Sequence, residues 1–241
     1  MAGKIASQPK REPIQKMATI NYAQARETMV EQQVRPWDVL DARVLDVLAT
    51  VPRDAFVPAA HRALAYADLQ LPLGHGQVML KPVVEGRMLQ ALELAPTDSV
   101  LEIGTGSGFI SACLGRLARE VLSLELHADL AEAARARLAE HDLGGNVRIQ
   151  TADAMHWDAA ADNVGEHGFD AICVTGAIAT LPSRFAQWLR PGGRMFIVHG
   201  LAPAMEAIVV RREGDDLRTQ SQFETDLPYL VGAAPVPRFQ L

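Results

Sequence analysis

Residues 101–109 read LEIGTGSGF, in which Gly104, Gly106 and Gly108 stand at alternate positions between an apolar run and the start of a helical pattern. Glycines there let the backbone turn sharply and let a ligand approach the main chain, while the free N–H groups of the next helix suit an anion. The spacing is G-x-G-x-G rather than the dinucleotide G-x-G-x-x-G, and no Gly-Lys-Ser/Thr follows. A nicotinamide fold and a nucleotide triphosphatase therefore fit poorly, and the carboxylate of an amino-acid ligand fits better. Two acids extend the pattern. Glu125 lies 21 positions beyond Gly104 at the end of a second apolar run, where a carboxylate can accept from both hydroxyls of a ribose. Asp153, in TADAMHW, is placed to accept from an adenine amino group. Together these residues describe a site for an adenosine bearing an amino-acid tail.

The elements that must hold them follow from periodicity. From Ser99 the chain alternates SVLEI, FISACLGRLA, EVLSLE, ADLAEAARARLAEH, NVRIQ, FDAICVT, PSRFAQWL and GGRMFIV, strand and helix patterns in turn apart from the consecutive strands NVRIQ and FDAICVT. This predicts an α/β fold with a doubly wound, mostly parallel sheet and helices on both faces, ligands meeting the strands at their C-terminal ends. MEAIVVRR and DLRTQSQFE, joined at EGD, predict an antiparallel edge hairpin. Upstream, YAQARETMVEQQV reads as a helix that Pro36 ends by excluding Arg35 from the α region. DARVLDVLATV reads as a second helix that buries Val44, Leu45, Val47 and Leu48. RDAFVP reads as irregular, GHGQVMLKP as a loop, and KPVVEGRMLQALEL as a helix with Pro82 in its first turn. Residues 1–17 are expected to be a disordered tail and 18–241 one domain, with a helical cap over 18–80 and a cofactor-binding core over 81–241.

Composition removes several classes. A chain of 241 residues, 49% hydrophobic and 22% charged, can bury one sizeable core, and its net charge of −6 argues against a nucleic-acid footprint or a basic membrane surface. The two cysteines, Cys113 and Cys173, lie in apolar surroundings, too far apart for a metal or redox motif. No apolar run approaches the roughly 20 residues of a membrane span, and the first segment has no signal-peptide core. The expectation is a cytoplasmic protein with no metal.

The glycine turn with Glu125 and Asp153 resembles the S-adenosylmethionine-dependent methyltransferases, which implies S-adenosyl-L-methionine as cofactor and a seven-stranded Rossmann-like sheet. RETMVEQQVRP, VPRDAFVP, AYADLQLPLGHGQ, VLEIGTGSGF, VTGAIATLPSRFAQWLRPGGRMFIV and LPYLVGA narrow the resemblance to the protein-L-isoaspartate O-methyltransferases, over residues 26–241. That family implies methyl transfer to the carboxylate of L-isoaspartyl residues in damaged proteins, so the partner is a peptide or protein carrying isoaspartate. It also implies a cofactor-binding set of Glu102, Gly104, Thr105, Gly106, Ser107, Gly108, Glu125, Leu126, Asp153 and Ala154, with Glu102 beside the cofactor's amino end.

One stretch departs from the family. Members read GHGQ and then Thr-Ile-Ser-x-Pro, the serine lying by the reacting carboxylate, whereas this chain has Val78 and Leu80 at the two hydroxyl positions and keeps Gln77 and Pro82. The strand end also differs, with Val198, His199 and Gly200 in place of Pro-Val-Gly. The catalytic positions are therefore Leu80, at the serine's place, with Gln77 and His75; Thr175 and His199 are further candidates for the missing polar contact. The alternatives are a methyltransferase of the same fold acting on a less polar acceptor and a cofactor-binding protein without catalysis.

Overall fold

Asn21 opens the first helix, its side chain accepting the Gln24 N–H at 3.2 Å. The computed structural model describes residues 20–159 and 168–235, and the tail expected at 1–17 lies outside them. Helix α1, Tyr22–Met29, does not stop before Pro36: a π turn, Val30–Val34, and a 3-10 turn, Arg35–Trp37, continue it, with Arg35 at φ −57° and ψ −43° in the α region. The π turn has already left the α ladder, so Pro36 interrupts no α-type hydrogen bond and enters at a position that needs no N–H. The helical run ends at Asp38, which is left-handed at φ 60°.

Asp41 caps α2, Ala42–Thr50, through the Arg43 N–H, and the four expected residues, Val44, Leu45, Val47 and Leu48, are buried. RDAFVP is not irregular: Arg53–Phe56 form one helical turn, α3, with Arg53 and Asp54 both buried. GHGQVMLKP is not a simple loop either. Strand β1, Leu71–Gly74, pairs antiparallel with β2, Gln77–Met79, across a tight turn in which Gly74, His75 and Gly76 all have positive φ. Helix α4, Pro82–Ala91, then buries Val84, Met88 and Leu89.

The main sheet follows as β3 (Ser99–Ile103), α5 (Phe109–Leu117), β4 (Glu120–Glu125), α6 (Ala128–Glu140), β5 (Val147–Thr151), β6 (Phe169–Ile178), α7 (Ser183–Gln187), β7 (Leu189–Leu201), β8 (Ala204–Glu213) and β9 (Asp216–Thr225). Its seven strands run in the order β5-β4-β3-β6-β7-β8-β9. The first five are parallel, and β8 and β9 add antiparallel, so the expected edge hairpin is present with β9 outermost. Strand order reverses between β3 and β6, which puts a crevice at their C-terminal ends.

Alternation along the strands builds two apolar layers. Val100, Val121, Cys173, Phe196 and Val209 join the side that carries α2, α4, α5 and α6, while Leu101, Leu122, Ile172, Ile197 and Val210 join the side that carries Phe185 of α7 and Trp157. Cap residues Met29, Val34, Leu48 and Leu80 belong to the same cluster as the first layer, so cap and sheet share one core.

Candidate cofactor and substrate site

The glycine loop leaves β3 with Gly104 at φ 94°, Gly106 at φ 53° and Gly108 at φ 88°, values that side-chain-bearing residues rarely adopt. A Cβ on Gly104 would also collide with the hydroxyl of Thr175 on β6, so the loop and β6 can lie this close only without one. At the end of β4, Glu125 grips the loop. Its Oε2 accepts the Gly106 N–H at 2.8 Å and its Oε1 the His127 N–H at 2.9 Å, which fixes a carboxylate that is only 5% exposed. Past β5, Asp153 is held in the same way: Oδ1 accepts the Met155 N–H at 2.9 Å and Oδ2 lies 2.7 Å from His156 Nδ1.

These groups line one cleft. The β1–β2 hairpin forms its opposite wall, contributing Leu73, Gln77, Val78 and Met79, with Leu80 next in line. A buried ion pair fixes that wall. Arg53, fully buried, donates to Leu80 O at 2.6 Å, to Ala65 O at 2.7 Å and to Glu85 Oε2. Removing one member of such a pair costs about 3–5 kcal/mol, because the other charge stays buried alone. Burial pushes the Glu85 carboxyl above the usual carboxylate range, against the pull of Arg53.

Of the residues singled out in the sequence, the cleft gathers Gly104, Thr105, Gly106, Ser107, Glu125, Leu126, Asp153, Ala154, Gln77, Leu80 and Thr175. Four others stand outside its lining. Glu102 points to the far side of β3 from Ile103, where the hydroxyls of Ser111 and Ser123 donate to its Oε2, and it is 0% exposed. Desolvation there raises its carboxyl to a pKa of about 8. Gly108 lies behind the loop, where a Cβ would sit 3.0 Å from Ala134 Cβ, so it serves the contact between α5 and α6. His75 stands above the cleft, stacked on His127 with ring centroids 4.0 Å apart and its Nε2 2.9 Å from Asp129. His199 faces Glu206 on β8 at 3.6 Å.

Sequence reasoning gave no role to Glu85, His127, Ile110, Met155, Leu230 or Val231, all of which line the cleft. The last two arrive from the C-terminal segment, which adds to the end of β6 through Ala177 N–H to Pro228 O at 2.9 Å and Leu230 N–H to Ala177 O at 2.8 Å. Only the motif LPYLVGA signalled that segment. Glu85 was detectable as the one acid on the first turn of an otherwise apolar helix face.

The family described as Protein-L-isoaspartate(D-aspartate) O-methyltransferase matches residues 24–229. A Protein-L-isoaspartate O-methyltransferase of Methylorubrum extorquens (strain PA1) is 42% identical over 80% of this chain and 82% of its own. One from Koribacter versatilis (strain Ellin345) is 40% identical over 88% of this chain and 92% of its own. Among solved structures, one from Plasmodium falciparum, assigned to the same enzymes and bound to S-adenosyl-L-homocysteine, superposes with a TM-score of 0.73 at 17% identity, covering 88% of this chain and 99% of its own. At that identity the likeness is one of fold.

Proposed function

Because the chain belongs to the protein-L-isoaspartate O-methyltransferase family, we propose that its cleft transfers a methyl group from S-adenosyl-L-methionine to the carboxylate of an L-isoaspartyl residue in a damaged protein. One observation carries the cofactor half of this reading. Glu125 is locked by two backbone N–H groups at the end of β4, with the glycine loop on one side and Asp153 beyond it, as an adenosine site requires. The residues present fit the cofactor. Glu125 would meet the ribose hydroxyls, Asp153 the adenine amine, and Leu126, Ala154 and Ile110 the apolar faces of the nucleoside. Thr105 and Ser107, with the loop backbone, bound the amino-acid end.

S-adenosylmethionine supplies a methyl group on a positively charged sulfur, so a carboxylate oxygen can displace it directly, the new C–O bond forming as the C–S bond breaks. The task of the chain is alignment and exclusion of water. Arg53 does part of this by holding the Leu80 carbonyl, and with it the end of the hairpin, in place. Val78, Met79 and Leu80 make that wall apolar. Gln77 is the polar side chain of the hairpin that flanks it, and its amide N–H groups orient the substrate carboxylate; the single Thr175 hydroxyl proton is taken by backbone carbonyls, Gly104 O at 2.6 Å being the nearer.

The expected single domain of 18–241, with cap 18–80 and core 81–241, is supported by the one apolar core that cap and sheet share among the described residues. No helix among the described residues is long and apolar enough to cross a membrane. With the net charge of −6 and two buried free thiols, this supports a cytoplasmic enzyme that does not bind nucleic acid. Carboxyl methylation leaves a chemical signature: the product ester should release methanol in mild alkali. A methylated product stable to alkali would contradict a carboxylate acceptor.

A further inference from the structure

Three carboxylates line the cleft among the described residues: Glu125, Asp153 and Glu85. Both oxygens of the first two are already held by the protein. Glu85 is different. It sits in the first turn of α4, 1% exposed, with Oε2 on Arg53 and Oε1 buried without a hydrogen-bond partner. Arg53 directs its Nε–H to Ala65 O and an Nη2–H to Leu80 O. A buried carboxylate oxygen without a donor is costly, and such a group in a ligand cleft calls for a donor that the ligand brings.

The next step rests on the reading of the cleft as an S-adenosylmethionine site. That molecule offers three sets of donors: the ribose hydroxyls, the adenine amine and the ammonium of its amino-acid end. Glu125 and Asp153 answer the first two. Glu102, which the sequence placed at the third, lies behind β3 on Ser111 and Ser123. We propose that Glu85, through Oε1, is the carboxylate that binds the ammonium of the cofactor's amino-acid end. The electrostatics agree. Arg53 supplies one positive charge to this buried acid, and an ammonium on the other oxygen opposes the desolvation that disfavours its ionised form.

The test compares two nucleosides by calorimetry. S-adenosylhomocysteine carries the ammonium; 5′-methylthioadenosine keeps the adenine, ribose and sulfur but ends in a methyl group. Glu85→Gln should weaken S-adenosylhomocysteine by at least about tenfold, the loss of a hydrogen bond to a charged group, while methylthioadenosine stays within about twofold. Glu102→Gln should leave the ratio of the two affinities unchanged. If Glu85→Gln does not fold by circular dichroism, the double variant Arg53→Met with Glu85→Leu removes both buried charges and carries the same comparison. An unchanged ratio in the folded variant overturns the assignment, and so does a loss confined to methyl transfer, which would put Glu85 on the acceptor. If the wild type binds neither nucleoside, the cofactor reading of the cleft fails first.

Discussion

His75 lies flat on His127, their ring centroids 4.0 Å apart and their planes 8° from parallel. The first residue is in the turn of the β1–β2 hairpin, the second directly after β4, so the stack joins the substrate wall to the cofactor wall above the cleft. Asp129 at the start of α6 holds the outer edge of His75 at 2.9 Å.

His75→Ala should therefore act on retention rather than chemistry. Losing a stacked ring pair worth about 1 kcal/mol should speed release of S-adenosylhomocysteine by roughly fivefold, as read by stopped-flow displacement. An unchanged release rate would mean the stack is surface packing alone.

Glu125→Ala should weaken S-adenosylmethionine by about 1.5–3 kcal/mol, because it removes the ribose acceptor and frees the Gly106 and His127 N–H groups together. Calorimetry checks this, and NAD should not compete. An unaltered affinity would remove Glu125 from the site.

Glu102 ties stability to pH. Its folded-state pKa is raised to about 8 by burial, above the ordinary carboxylate value, so the folded state binds the proton more tightly. That stabilising contribution is complete below about pH 4 and is lost as pH rises through about 8. Denaturant titrations from pH 5 to pH 9 should show Glu102→Gln losing less stability with rising pH than the wild type, by a few kcal/mol across the range. Parallel pH profiles for the two proteins would show that Glu102 keeps its charge when buried.

Leu80 lines the acceptor side of the cleft and is 4% exposed. Leu80→Ser with Val78→Thr should raise kcat/KM on an isoaspartyl peptide by about tenfold and leave cofactor affinity nearly unchanged. Lost apolar burial should cost about 1–3 kcal/mol of stability, so melting curves must accompany the rates. No gain in the folded variant would mean that Gln77 already supplies the polar contact.

The parts of the site that could be read in the sequence are those whose role is fixed by chain position. The glycine loop follows a strand, and Glu125 and Asp153 follow the next two, so topology brings them to one sheet edge. Glu102 could not be placed, because a one-residue step along β3 decides which face it meets, and Ser111 and Ser123 draw it behind the sheet. Arg53 and Glu85 are 32 positions apart, and their pairing depends on how the cap docks on α4. Pro36 misled for a local reason: the π turn before it removes the hydrogen bond that the proline would have broken.

The central claim is best tested by incubating the protein with methyl-labelled S-adenosylmethionine and two peptides that differ only in an L-isoaspartyl or a normal aspartyl residue. The expected result is base-labile label on the isoaspartyl peptide and background on its twin. Label on neither peptide, from protein shown to bind the cofactor, would contradict the isoaspartyl assignment and return the apolar wall of Val78, Met79 and Leu80 to a different acceptor or to none.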